Sequence, residues 1–250
     1  MDLPKDTAWA PPATAALATM ATGLGALGAL SLGSGDFAFQ WQPVPPDVPA
    51  RAALALVAGA LEVLAAALLV PSRTRAAGAW LAALLLLGWV ALHVPSVIRK
   101  PGSVADWLGV AETAAMATAA LMFAGSTSPA VVRGATAVFG LAAIVFGVAH
   151  FVYADFTASM IPAWLPLRVP LAYLTGAAHA LAGVAILGGV LRVLAATLEA
   201  AMMLGFVLLV HVPMVLAKPA GRLEWTMLAV AVLLTGSSAM VAASWRRRTA

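Results

Sequence analysis

The chain has 250 residues, of which 63% are hydrophobic and 10% are charged, and it contains no cysteine. Its mean hydropathy of +0.98 excludes both a soluble globular domain, in which roughly half of the residues are apolar, and a disordered chain. The net charge of +4 does not indicate a nucleic-acid partner, because the basic residues stand between apolar runs, and the lack of cysteine excludes disulfides and thiolate sites.

Apolar runs long enough to cross a bilayer follow one another along the chain. A spanning helix needs about 20 predominantly apolar residues, and charged or proline-rich breaks separate eight such runs. The runs are apolar on every side, whereas a membrane β-barrel would show short alternating segments. The sequence therefore predicts an all-α membrane protein whose eight transmembrane helices lie near residues 13–33, 51–70, 75–97, 104–124, 131–152, 167–191, 193–217 and 224–245.

The loop charges predict how the chain sits in the membrane. Residues 1–6 carry two acids and one base and lead into an apolar run without a small-residue cleavage site, so we expect no signal peptide. Eight helices place both termini on one side, and eight of the 14 basic residues fall on that side. This bias predicts a multi-pass inner-membrane protein with cytoplasmic termini, and it places the long loops 35–50 and 153–166 on the outer side.

The two halves of the chain align with each other. A residue of the first half matches the residue 117 positions later in the second half, and 118 positions later beyond a one-residue shift in the turn at residues 71–75. Each half holds four helices, so residues 1–127 and 128–250 are predicted to be parallel four-helix repeats, related by an axis along the membrane normal. The matched pairs include Gly23 with Gly140, Phe39 with Phe156, Arg51 with Arg168, Glu62 with His179, and His93-Val94-Pro95 with His211-Val212-Pro213.

Three stretches of the second half carry a family resemblance. Residues 146–151 (FGVAHF), 161–166 (IPAWLP) and 173–176 (YLTG) resemble the DoxX-like integral membrane family of four-helix proteins. The first half resembles it more faintly, through the duplication. The family takes its name from a subunit of an archaeal thiosulfate:quinone oxidoreductase, so the resemblance implies at most a membrane subunit of an oxidoreductase, with a quinone as cofactor and a soluble or membrane redox partner. Because the chain has no cysteine, it cannot handle sulfur through thiols of its own, and in this it departs from the sulfur chemistry that the family name implies.

Ionisable residues inside the predicted helices are the candidate functional residues. Each costs about 2.5–3.5 kcal/mol at the centre of a spanning helix. His179 lies 11 residues after Arg168, near mid-membrane, and Glu62 holds the matched position; small residues flank both at helical spacing, so both should point into helix interfaces. The candidates are Glu62, Glu112, Glu199, His93, His150, His179 and His211.

An outward-facing pocket is predicted in the second half. His150 and His211 end helices on the outer side, as His93 does in the first half, and Tyr153 and Asp155 follow His150. We expect His150, His211, Tyr153 and Asp155 to converge beneath the loop at 161–166 and, with His179, to bind a quinone or a lipid, because imidazole and phenol groups can hydrogen-bond a quinone carbonyl and pass a proton. Glu199 is 12 residues before His211, about 18 Å along one helix, and is expected to lie apart from this pocket.

Two other functions stay open from the sequence. In a non-enzymatic scaffold or assembly protein, the same polar residues would only hydrogen-bond helices together, and in a proton-coupled transporter Glu62 and His179 would carry protons. No broken helix in matching positions is seen, which weakens the transporter. The histidines come from separate helices without metal-binding or haem-binding spacing, so no metal is expected. Oligomeric state and catalysis are left open.

Overall fold

The computed structural model describes residues 11–249, with side chains as far as Arg246. The expectation about a signal peptide rests on residues that lie outside this range. All regular elements within the described range are helical.

Eight helical spans are long and apolar enough to cross a membrane, as predicted. This makes the chain a multi-pass membrane protein. Two short elements on the loops were not predicted, a 3₁₀ turn at Phe39–Trp41 and α6 at Ala154–Met160. The remaining helices are α1 (Ala13–Ser34), α2 (Arg51–Leu69), α3 (Arg75–Arg99), α4 (Val104–Ala124), α5 (Pro129–Val152), α7 (Arg168–Gly188), α8 (Arg192–Phe206), α9 (Val212–Ala217) and α10 (Arg222–Thr249).

The seventh span is interrupted where the sequence predicts a continuous helix. Between α8 and α9 the backbone opens into a wider, π-helical turn at Val207–His211, just before Pro213. A proline inside a helix removes one backbone hydrogen bond and crowds the preceding turn. Pro95, at the matched position, lies inside a continuous α3, so the proline alone does not produce the wider turn.

The helices pack mainly against their neighbours in the chain. α1 contacts α2, α2 contacts α3, and so on through α5, α7, α8 and α10, and α10 closes the ring by packing against α1. α4 also contacts α10 across the ring. α10 is accordingly the most buried span, with 83% of its apolar window inside the protein against 33% for α7.

Several local features recur in both halves at the predicted offset. Trp107 and Trp225 each donate an indole N–H to a proline carbonyl at 2.9 Å, and Arg75 and Arg192 each donate Nε–H to the carbonyl six residues earlier. The residues before α2 and α7, Ala50 and Leu167, both adopt positive φ angles, of +55° and +57°. These matches support the duplication, which stays a prediction.

Candidate functional site

A buried histidine–glutamate pair joins two helices of the second half. His179 lies midway along α7, and its Nδ1 is 2.7 Å from Oε1 of Glu199 on α8. Both residues are 1% exposed. The hydrogen bond places an acid and a base side by side in the apolar middle of the membrane-spanning region.

A second histidine, from α5, completes the cluster. The rings of His150 and His179 meet edge to face, with centroids 4.9 Å apart, and His150 Nδ1 lies 3.0 Å from the hydroxyl of Thr175. Phe146 and Phe206 pack against His179 at 5.7 and 5.8 Å. We refer to His150, His179 and Glu199 as the polar cluster.

Glycines bring α5 and α7 close enough for the two histidines to meet. A Cβ on Gly147 would lie 2.6 Å from the carbonyl oxygen of Gly176, and one on Gly176 would lie 2.8 Å from Cβ of His150. Gly140 and Gly183 make the same kind of approach about two turns away. Such small-residue contacts are how membrane helices pack backbone to backbone.

A groove of about 320 Å³ runs between α7 and α8, and Glu199 is the member of the polar cluster that lies in its wall. Its lining is apolar except for Glu199, the one ionisable residue among the described residues that form it. Leu181 and Leu198 at its edges are 69% and 59% exposed, so the groove opens on the outer surface of the helix ring, where acyl chains would lie. The lining residues are Ala178, Leu181, Ala182, Ala185, Leu191, Leu194, Ala195, Leu198, Glu199 and Met202.

One oxygen of the polar cluster has no partner. Oε1 of Glu199 is bonded to His179, but Oε2 is buried without a hydrogen bond. An unsatisfied buried polar atom costs about 1–3 kcal/mol, so such atoms call for an explanation. A ligand is one way to satisfy this oxygen.

The first half also buries an acid, Glu62, between its second and third membrane helices, and its Oε2 is buried without a hydrogen bond, as that of Glu199 is. Oε1 of Glu62 on α2 accepts hydrogen bonds from the amide of Gln42 at 2.6 Å and from the indole of Trp89 on α3 at 3.1 Å. The oxygen of Gln42 in turn accepts from the backbone of Ala38, which fixes the amide with its NH₂ group towards Glu62. The adjacent Trp41 donates its indole N–H to Glu112 of α4 at 2.7 Å.

Charged residues anchor the loop that carries these donors. Asp36 forms ion pairs with Arg51 at the start of α2 and with Arg222 at the start of α10. The two arginines also stack over Phe37 and Phe39. We refer to residues 36–42 as the plug loop, because Phe37, Ala38, Trp41 and Gln42 are buried in the first half.

The second half lacks the buried Trp and Gln side chains that the plug loop supplies in the first half. By the predicted offset, Trp41 and Gln42 match Ala158 and Ser159 of α6, and the hydroxyl of Ser159 is exposed and bonded to its own helix. The groove residues Ala178, Ala185 and Leu198 match Leu61, Leu68 and Trp80. The first half therefore carries larger side chains at these three positions.

The structure brings together only part of the predicted pocket. His150 and His179 meet, but among the described residues no hydrogen bond or ring contact joins them to His211, Tyr153 or Asp155. Tyr153 and Asp155 are exposed because they lie at the end of α5 and the start of α6. Their convergence with His150 and His211 therefore stays a prediction.

The other histidines have different environments. His93 is 3.3 Å from the hydroxyl of Thr113 and packs over Gly109. Its match, His211, has a buried Nδ1 without a hydrogen bond, and the position that matches Thr113 is Ala231. Glu62 and His93 lie in the first half, outside the polar cluster.

The expected separation of Glu199 from the histidines is wrong. The distance along one helix separates Glu199 from His211, but it says nothing about His179, which comes from the neighbouring helix. The sequence does contain a signal for the contact between His179 and Glu199: an apolar helix with an acid directly follows a helix with a histidine near its middle. Within residues 11–249, no group of three or more His, Asp or Glu side chains is arranged to hold a metal ion.

A larger groove of about 550 Å³ lies between α1, α10 and the wider turn of the seventh span. Its described lining is apolar apart from Thr22 and Trp225, whose polar atoms bond to backbone carbonyls. It offers no unsatisfied polar atom to orient a ligand, so the α7–α8 groove is the better candidate site.

Comparison with known proteins places the candidate site inside one matched region. The model of a family described as a domain of unknown function (DUF8561) matches residues 139–248, which include the polar cluster and the α7–α8 groove. The match covers less than half of the chain. No curated protein and no solved structure matches it.

Proposed function

We propose that the second half binds a lipophilic molecule, a quinone or a lipid, in the α7–α8 groove with its head group at the polar cluster. The observation that carries the proposal is the acid in the groove wall: Glu199, hydrogen-bonded to His179, is the one ionisable residue among the described lining residues. Ligand sites are mostly apolar cavities with a few polar groups that orient the ligand.

The size and position of the groove support this function. Small-molecule sites usually measure about 300–1,000 Å³, and the groove, at about 320 Å³, accommodates a substituted ring or a small head group. Since it opens beside exposed leucines, a membrane-dissolved molecule can enter sideways and leave its tail along the surface. The DoxX-like resemblance makes a quinone, and a role beside a redox partner in the inner membrane, the more specific form of the proposal.

The test is native mass spectrometry of the protein extracted in a mild detergent. The groove is filled by the double substitution Ala178→Leu and Ala185→Leu, which introduces the side chains that the first half carries at the matched positions. The control is Val184→Leu, which enlarges an exposed side chain of the same helix outside the groove lining. We expect one bound molecule on the wild type and on the control, and none on the groove-filled variant.

Other results would favour a scaffold. If the wild type carries only exchangeable lipid, or if the groove-filled variant retains the ligand, the proposed site is wrong. The polar cluster would then act only by joining α5, α7 and α8, as intramembrane hydrogen bonds commonly do.

A further inference from the structure

We infer that the seventh span contains one residue more than α3, its match in the first predicted repeat, and that the wider turn at Val207–His211 accommodates this residue and so keeps Glu199 opposite His179. The one-residue shift between the halves then lies inside the membrane, not in the turn at residues 71–75. This positioning role does not depend on what the α7–α8 groove binds.

The two ends of the seventh span match α3 at different offsets. Both helices begin at an arginine, Arg75 and Arg192, which are 117 positions apart, and each arginine donates Nε–H to the carbonyl six residues earlier. α3 ends just before Lys100 and the seventh span just before Lys218, which are 118 positions apart. Between matched ends, α3 takes 25 residues and the seventh span takes 26.

α8 follows α3 at an offset of 117. From Ala195 onward, every buried residue of α8 matches a buried residue of α3 at this offset. At an offset of 118, Glu199 and Met203 would match Leu81 and Leu85, which are only partly buried. The extra residue therefore lies after Met203. The matched pairs are Ala195 with Gly78, Ala196 with Ala79, Glu199 with Ala82, Ala200 with Ala83 and Met203 with Leu86.

Beyond the wider turn the offset is 118. Val215 and Val97, which match at this offset, are both buried, whereas Ile98, 117 positions before Val215, is 73% exposed. Within the wider turn, the N–H of Val212 donates to the carbonyl of Val207, five residues earlier. A turn closed in this way holds one residue more than an α-helical turn. The wider turn is therefore where the extra residue fits.

The wider turn determines which way Glu199 points. Each residue of an α-helix turns the chain by about 100° and advances it by about 1.5 Å. In a continuous helix of 26 residues held at Lys218, Glu199 would be displaced by this amount from its place opposite His179. The wider turn takes up the displacement, so the two ends of the span both keep the packing that α3 has.

The register also changes one match at the groove. Leu198 matches Leu81, a residue of the same size, rather than Trp80. The larger side chains of the first half are then Leu61 and Leu68, the two that the groove-filled variant introduces.

The test removes one leucine from either side of Glu199. Leu209, in the wider turn, is 46% exposed, and Leu194, near the start of α8, is 37% exposed. The two deletion variants have the same length and composition. Without Leu209, we expect an unfolding temperature within about 4 °C of the wild type and full coupling between His179 and Glu199 in a double-mutant cycle. Without Leu194, we expect this coupling to be lost, because Glu199 is displaced.

The control in the first half is the deletion of Leu92, which is 43% exposed and directly precedes His93. Because α3 has no extra residue, this deletion displaces one end of the helix against its neighbours. We expect it to lower the unfolding temperature by at least about 10 °C or to prevent folding.

Two results would overturn the inference. One is that the deletions of Leu209 and Leu92 change the unfolding temperature equally, and the other is that the deletion of Leu209 abolishes the coupling between His179 and Glu199. Should the Leu194 variant not fold, the comparison of Leu209 with Leu92 decides. Ligand binding is not measured, so a failure of the proposed function and a failure of this inference are seen in separate experiments.

Discussion

The hydrogen bond between His179 and Glu199 makes the two residues energetically dependent on each other. Each is buried and has the other as its partner, so the loss of one leaves the other unpaired inside the protein. An unpaired buried polar group costs about 1–3 kcal/mol, whereas removing both partners is less harmful.

We therefore predict that His179→Ala and Glu199→Ala each cost about 1–3 kcal/mol and that the double variant costs clearly less than their sum. The measurement is a double-mutant cycle of unfolding in mixed detergent micelles. The control is the ion pair between Glu224 and Lys218, whose side chain is 72% exposed, and it should show little coupling. Additive costs for His179 and Glu199 would contradict the geometry of the pair.

At the scale of elements, the approach of α5 to α7 controls the shape of the site. Gly147 has no room for a side chain, because a Cβ there would lie 2.6 Å from the Gly176 carbonyl, whereas nothing lies within 4 Å of a Cβ on Gly134 of the same helix. We predict that Gly147→Ala destabilises the protein by about 1–3 kcal/mol and weakens ligand retention.

The control substitution on α5 is Gly134→Ala. It should be neutral or slightly stabilising, because alanine is the better helix former by about 1 kcal/mol. Thermal unfolding in detergent measures both variants. If Gly147→Ala left the unfolding temperature unchanged, α5 and α7 would pack less closely than they do in the structure.

The plug loop is held by its charges, which leads to a prediction for the first half. Asp36 pairs with Arg51 and Arg222, so Asp36→Ala should loosen residues 36–42 and raise their rate of amide hydrogen exchange at least tenfold. The control is Asp47→Ala, which removes an exposed acid between the plug loop and α2 and should change little. Equal exchange in both variants would show that the aromatic residues alone anchor the plug loop.

At the scale of the whole molecule, the cysteine-free chain allows the topology to be mapped with single cysteines. We predict that Asp47→Cys and Ser159→Cys react with an impermeant thiol reagent from the outer side of intact cells. Ser72→Cys and Thr127→Cys should react only after the cells are opened. If all four cysteines reacted from the same side, the chain would not cross the membrane eight times with both termini on one side.

The sequence predicts the membrane helices well and the site only in part. Long apolar runs bounded by charges determine where helices begin and end, so all eight spans were found, whereas the short α6 and the plug loop depend on tertiary contacts. Helical spacing along one segment correctly separates Glu199 from His211. It cannot predict that His179 and Glu199 meet, because this depends on how α7 packs on α8.

Photo-crosslinking reports where a lipophilic molecule binds on the protein. The probe is 4-decylphenol with a diazirine on the alkyl chain, activated on the full chain in nanodiscs and mapped by peptide mass spectrometry. We expect labelling to be concentrated on residues 178–202, to be lost in the variant with Ala178→Leu and Ala185→Leu, and to be kept in Val184→Leu. Labelling spread evenly over the lipid-facing helices, or concentrated in residues 1–127, would contradict the proposed site.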